Sequence, residues 1–404
     1  MKYDFDTPVD RRNTYSLKWD VAENELPMWV ADMDFRTAPE ITRALIRRAG
    51  HGVFGYTEIP DEWYSAYTNW WSSRHGFEIK REWLIFCTGV VPAISSLVRK
   101  LTTVGENILV MTPVYNIFFN SIRNNGRNIA ESPLLYENGA YRVDFAGLEE
   151  KLSDPQTSML LLCNPQNPGG IIWDRDTLAR IGSLCRKYNV VVVSDEIHCD
   201  LTDPGYEYTP FASVSEDCLM NSVTCIAPTK AFNIAGLQTA AVYSANPRLR
   251  HMVDRGLNTD ECAEPNVFAV TAAITAFTQG GEWLDQLREY IAENRRTAAE
   301  FIAEKIPQLH LVDSHATYLF WLDHSEITAD SARLAEFIRS KTGLFLSAGG
   351  RYRGNGAQFL RLNAASMSGE YSPGRVFRTV EIKANCAEPD IGKELVPAVF
   401  VRIR

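Results

Sequence analysis

Residues 190–200 read VVVVSDEIHCD: four valines, a serine and then two carboxylates, Asp195 and Glu196. A run that is apolar throughout, rather than alternating, suits a strand buried on both faces of a mostly parallel sheet. Ligands in open α/β sheets bind outside the carboxyl ends of such strands, which is where the two carboxylates fall. A carboxylate there needs a cation partner, because an unpaired buried charge is costly.

Working outward, ILVM at 108–111, MLLL at 159–162, VTCIA at 223–227 and TAAVYS at 239–244 are further short strands. Helical patterns lie between them. One runs from Pro92 to about Thr103, with Ile94, Leu97, Val98 and Leu101 at spacings of three to four. Another, over 174–188, starts on Asp174 as its cap and carries Leu178, Ile181, Leu184 and Cys185. The pattern predicts an α/β sheet with helices on both faces. A long helix near 281–305, dense in Arg and Glu, bridges to a second unit. There VDSHATYLFWLD reads as strand and ADSARLAEFIRSK as helix, giving a smaller α+β domain. The expected division is 1–45, an N-terminal segment joining the small domain; 46–285, the large domain; and 286–404, the small domain.

The whole chain is compatible with this. It has 404 residues, 45% hydrophobic and 23% charged, an ordinary globular balance. A net charge of −9, with no basic stripe, argues against nucleic acid as a partner. The polar opening MKYDFDTPVDRRNTYSLKWD has no signal-peptide core, and no apolar run is long enough to cross a membrane. Eight cysteines without C-x-x-C or paired metal spacing read as buried free thiols of a cytoplasmic enzyme, with no metal site.

Four pieces carry chemistry. TGVVPAISSL at 88–97 is a Gly-containing turn into a helix, whose free N–H groups suit a phosphate. CNPQNPGG at 163–170 turns an Asn back over the strand ends. SDEIH supplies Asp195. APTKAFNIAGL at 227–237 places one lysine, Lys230, in a segment nearly free of other charge, where the neutral nucleophilic amine becomes accessible. Each alone is an ordinary feature. Their order, with 28 residues from Asn167 to Asp195 and 35 from there to Lys230, is not.

In this order the chain resembles the fold-type I pyridoxal-5'-phosphate (PLP) enzymes of the class I/II aminotransferase family, over roughly residues 1–363. RRNTYSLKWD, PMWVADMDF, HGVFGYT, NPQNPGG, SDEIHCDL and FLRLN are similar to its MalY/PatB branch of cystathionine β-lyases and related C–S lyases. The resemblance implies the aspartate aminotransferase type of fold, with a mostly parallel seven-stranded sheet in the large domain. It also implies PLP held by Lys230 as a Schiff base, with Lys230 then acting as the base at the substrate Cα. Asp195 would pair with the pyridine nitrogen, Asn167 would bond the ring hydroxyl oxygen, and Tyr115 would stack on the ring. Val90 and Val91 would hold the phosphate through backbone N–H groups, with Thr229 adding its hydroxyl. His198 stands in the cofactor site where many transaminases have Tyr. Tyr56 would reach the phosphate of a neighbouring subunit, which implies a homodimer. Arg361 would grip the substrate α-carboxylate as a fork.

The chain also departs from the family. Ala227 stands where Ser is common, and Gln238 where many transaminases have a phosphate-binding Arg. After Asn363 the sequence has no long amphipathic helix, whereas the family usually closes its small domain with one. The expected function is a PLP-dependent C–S β-lyase on cystathionine or cysteine S-conjugates. An aminotransferase and a PLP-holding regulatory protein are the alternatives, since the same residues serve each.

Overall fold

The computed structural model describes residues 3–366, so the tail reading lies outside it from residue 367 on. Seven strands form the main sheet in the spatial order Leu84–Cys87, Ala240–Tyr243, Ser222–Ile226, Val191–Asp195, Thr157–Cys163, Asn107–Thr112 and Asn128–Pro133. Only Ala240–Tyr243 runs antiparallel to its neighbours.

The continuous apolar runs follow from helices on both faces. Met159, Leu161, Cys163 and Val193 belong to one core, with Val90, Ile94 and Leu97 of the helix Val90–Leu101. Their alternate neighbours Leu160, Leu162 and Val192 belong to another, with Leu178 and Ile181 of the helix Arg175–Lys187. Successive side chains of a strand point to opposite faces, so each residue has a core of its own. The same parity puts Asp195 on the face of Val193, toward the helix that opens at Val90.

The five strands expected from sequence are all present, and the edges Leu84–Cys87 and Asn128–Pro133 are additional. The first helix begins at Val90, two residues before the expected Pro92. Arg175–Lys187 is capped as expected, the Asp174 carboxylate accepting from Thr177 N–H at 2.7 Å.

A second, antiparallel sheet joins His310–Leu311, Leu319–Asp323, Phe359–Asn363 and Ser347–Ala348 in that order. The helices Gly281–Lys305 and Ser331–Thr342 accompany it, at the positions read from sequence. The N-terminal stretch joins this unit: Leu26–Pro27 pairs in parallel with Leu344–Phe345, and Leu26 and Met28 share a core with Phe320, Leu322 and Leu360. Helix Pro39–Gly50 spans residue 45, and the long helix spans 285. Among the described residues no helix is long and apolar enough to cross a membrane. The seven described cysteines are buried and free.

Candidate active site

The parallel strands deliver their following residues to one end of the sheet. Gly89 and Val90 follow Leu84–Cys87, Tyr115 follows Asn107–Thr112, and Asn167 follows Thr157–Cys163. Asp195 ends its strand, and Thr229 and Lys230 follow Ser222–Ile226. Residues scattered over 140 positions of sequence thus meet at the carboxyl edge.

Asp195 is 4% exposed, and its Oδ1 accepts one hydrogen bond, from Ile197 N–H at 3.1 Å. Burial, with Glu196 adding to it, pushes its carboxyl up to about 7; Ile197 N–H and Lys230 oppose the rise. The adjacent Glu196 is accounted for by the fold. It accepts from Ser194 Oγ at 2.8 Å, Phe211 N at 3.0 Å, Asn164 Nδ2 at 3.2 Å and the hydroxyl of Tyr208. Of the two carboxylates at the strand end, Asp195 is the one left for a ligand cation.

Lys230 is half-buried and donates from Nζ to the carbonyl of Ala31 at 2.6 Å. Burial pulls its ammonium down to about 8, Arg361 acting in the same sense and Asp32 and Asp195 against it. A usable fraction of neutral amine at neutral pH follows, as a nucleophile and base requires. His198, buried, is pushed down to about 3 by burial and then by the charges of Lys230 and Arg361; it is neutral, and its Nδ1 has no partner. Tyr115 is half-buried and its hydroxyl is pushed up to about 12 by burial and then by Asp195, so it is a neutral ring.

Arg361 is 6% exposed on the strand Phe359–Asn363. It donates from Nη1 to Asn167 Oδ1 at 3.2 Å and from Nη2 to Trp29 O at 2.9 Å, and its guanidinium lies 4.9 Å from the centre of the Tyr352 ring. Its Nε is buried with no partner. Val90 and Val91 open their helix with no side chain capping it, so their N–H groups are available to an anion. Val90 and Thr229 are buried, and Val91 is exposed. Gln238 is also exposed, at φ 54°, so no cation takes the place of the transaminase Arg at that position. Tyr56, 105% exposed, lies in a stretch without regular secondary structure, together with Val53 and Phe54, which are also exposed. Its side chain is on the surface of the subunit, whereas Asp195, His198 and Arg361 are buried.

Sequence reading missed the clasp that covers Lys230. Asn363, on the same strand face as Arg361, donates from Nδ2 to Val30 O and Asp32 O, both at 2.6 Å. From the other side Asn233, in the lysine loop at φ 54°, accepts from Met33 N at 2.9 Å and donates to Met33 O and Phe35 O. Tyr318 donates to Ala31 O at 3.0 Å. The segment 29–35 is thereby stretched over Lys230. Its signal was present in the quoted AFN and FLRLN, where both asparagines stand.

His75, Cys199 and Asp200 also come together, with possible metal-ligating atoms within 4.8 Å of one another. His75 Nε2 meets Asp200 Oδ1 at 3.1 Å and Trp70 Nε1 donates to the same oxygen at 3.0 Å, a buried polar clamp.

The fold agrees with the comparisons. Residues 23–372 match the family described as aminotransferase class I and II. Cystathionine beta-lyase PatB of Bacillus subtilis is 42% identical over 366 residues, covering 89% of this chain and 95% of that protein. Protein MalY of Escherichia coli is 33% identical, covering 90% and 94%. Among solved structures, cystalysin of Treponema denticola, which contains a pyridoxal 5'-phosphate cofactor, superposes with a TM-score of 0.89 at 33% identity over 94% of this chain and 96% of its own. A PLP-bound C–S lyase of Staphylococcus hominis gives 0.86 at 29%, over 94% and 96%.

Proposed function

This chain belongs to the aminotransferase class I and II family, and on that premise we propose the reaction its site serves. It is a pyridoxal-5'-phosphate-dependent carbon–sulfur β-lyase, converting cystathionine or a cysteine S-conjugate and water into a thiol, pyruvate and ammonia. The observation that carries the cofactor is the opposed pair at the sheet edge: a carboxylate with no cation bonded to it, Asp195, and a lysine held down to about 8, Lys230. The choice of lyase over aminotransferase is supported by the likeness to cystathionine beta-lyase PatB.

The site fits the cofactor group by group. Asp195 suits the protonated ring nitrogen, and the uncapped helix start at Val90 and Val91, with Thr229, suits the phosphate. Asn167 suits the ring hydroxyl oxygen and Tyr115 the ring face, and His198 Nδ1, buried without a partner, would be free to hydrogen-bond the cofactor. When bound, the cofactor supplies an aldehyde that condenses with amines and a ring that accepts the electron pair of a broken bond at Cα. The protein's residues do the rest. Lys230 holds the cofactor and later takes the proton from Cα. Arg361 presents its unpartnered Nε and its Nη groups to the α-carboxylate, fixing which Cα bond faces Lys230. Asp195 keeps the ring-nitrogen proton in place.

Two further assignments belong to this proposal. Tyr56, Phe54, Val53 and Ile46 form exposed apolar surface that a second copy would cover, with Tyr56 completing the partner's phosphate site. Seven buried free thiols suit a reducing, cytoplasmic setting. The division into residues 1–45, 46–285 and 286–404 draws support from the core that Leu26 and Met28 share with Phe320, Leu322 and Leu360, although Trp321 and Phe359 pack into a core of the main sheet.

The decisive assay supplies L-cystathionine and omits any keto acid. Continuous release of pyruvate, ammonia and thiol is expected. Turnover that begins only when a keto acid is added replaces the lyase by an aminotransferase.

A further inference from the structure

The residue after Ala31 is held more firmly than a loop residue needs to be. Asp32 Oδ2 pairs with Arg11 Nη2 at 2.5 Å. Its backbone carbonyl accepts from Lys18 Nζ at 3.1 Å as well as from Asn363. With backbone and one oxygen both fixed, its other oxygen, Oδ1, is buried and has no hydrogen-bond partner. A buried anionic oxygen left unpaired is costly unless a donor arrives during the working cycle. A candidate donor is Lys230 Nζ, which lies 2.6 Å from the carbonyl of the preceding residue, Ala31. Burial lowers Lys230, and among the charges around it Asp32 acts most strongly, ahead of Arg361 and Asp195. The other groups facing Lys230 are His198, which is neutral, and the Tyr318 hydroxyl, which shares Ala31 O.

We propose that Asp32 is a positioning residue which, with the Ala31 carbonyl, cradles Lys230 Nζ whenever that nitrogen carries a proton. The inference rests on the reading of Lys230 as the cofactor lysine and Cα base. In the elimination, the Cα proton moves to the Lys230 amine and makes it an ammonium. The electron pair of the C–H bond ends in the new Cα–Cβ double bond, and the pair of the C–S bond leaves on sulfur. Lys230 then returns its proton to the departing thiolate, giving the neutral thiol. Between those two transfers Asp32 Oδ1 and the Ala31 carbonyl would accept from the ammonium, keeping the proton within reach of the sulfur and off the surrounding water.

The test reads protonation of Lys230 rather than turnover. In the holoprotein the absorbance of the lysine-bound cofactor titrates with pH. Asp32→Asn removes an anion that favours the protonated form of that nitrogen, and the midpoint is expected to fall by about one unit, the low end of the shift that a nearby opposite charge produces. Arg11→Gln removes the cation that neutralises Asp32, so the midpoint is expected to rise. Asp32→Glu should restore it toward the wild-type value. A purely structural role for Asp32 would damage both neighbours in the same sense. An unmoved midpoint in Asp32→Asn, or shifts of the same sign in the Asn and Arg11→Gln proteins, overturns the proposal. Should Asp32→Asn fail to fold, the sign of the Arg11→Gln shift decides alone. If no lysine-bound cofactor is found, the functional reading has failed; the pH midpoint of Lys230 acylation by acetic anhydride in the full-length protein, mapped by peptide mass, still tests Asp32, with the same signs expected.

Discussion

Lys18 Nζ and Asp34 Oδ2 lie 2.8 Å apart, and both side chains are fully buried. Arg11 Nη1 and Trp19 Nε1 reach the other oxygen of Asp34, at 2.6 and 2.8 Å. Three residues of RRNTYSLKWD therefore converge on one carboxylate of PMWVADMDF, two residues past Asp32 and three past the carbonyl that meets Lys230.

The first expectation concerns this pair. Asp34→Ala strands a buried ammonium, and breaking a buried ion pair by removing one partner costs about 3–5 kcal/mol. Chemical denaturation should show that loss. The double substitution Lys18→Met with Asp34→Ala should recover part of it, because no lone charge remains. If Asp34→Ala is as stable as the wild type, the convergence is incidental.

Lys230 is expected to be the covalent anchor. Borohydride reduction of the holoprotein should fix the mass of the cofactor to the peptide carrying Lys230. Lys230→Ala should stay folded by circular dichroism, since the side chain makes one hydrogen bond to a loop carbonyl, and should lose the lysine-bound absorbance. Label on another peptide assigns the role elsewhere.

Asp195 gives the protein a pH signature. Its carboxyl is near 7 in the folded chain without cofactor, against an ordinary 3.8. Between those values the folded state holds a proton that the unfolded state has lost, so this residue's contribution to stability falls as pH rises from about 4 to 7. At about 1.4 kcal/mol per unit the effect is on the order of a few kcal/mol. Cofactor-free protein should accordingly lose stability over that range, and Asp195→Asn should abolish the trend and be the more stable of the two at pH 8. A cationic ring nitrogen removes the same penalty, so cofactor should stabilise the wild type more at pH 8 than at pH 5. The Asn variant should lose several powers of ten in turnover, each worth about 1.4 kcal/mol of barrier. Parallel pH–stability curves for the two proteins exclude Asp195 as the titrating group.

Tyr56 tests the assembly. Mixed Lys230→Ala and Tyr56→Phe proteins should regain activity, because one site of a hybrid dimer combines an intact Lys230 with the partner's intact Tyr56. Sedimentation of fully active protein as a monomer would sink the homodimer.

Sequence alone determined the α/β class and picked out the charged residues at the ends of its strands. Strands such as VVVVS are buried on two sides, so nearly every residue must be apolar, and a lone Asp195 or Lys230 at the end of such a run stands out against it. The long helix Gly281–Lys305 and the helix Ser331–Thr342 were legible for a similar reason: a helix writes its one buried stripe into the sequence at a spacing of three to four. The edge strands were not. Asn128–Pro133 pairs on one side only and is half-polar, ending in a proline that an edge tolerates, so it lacks the continuous apolar mark. Nor was the clasp over Lys230. Tertiary structure decided that Asn233 and Asn363, 130 residues apart, bind the same stretch of N-terminal backbone. Their acceptors are main-chain carbonyls, which every residue carries alike, so only the folded path of the chain specifies which ones they meet.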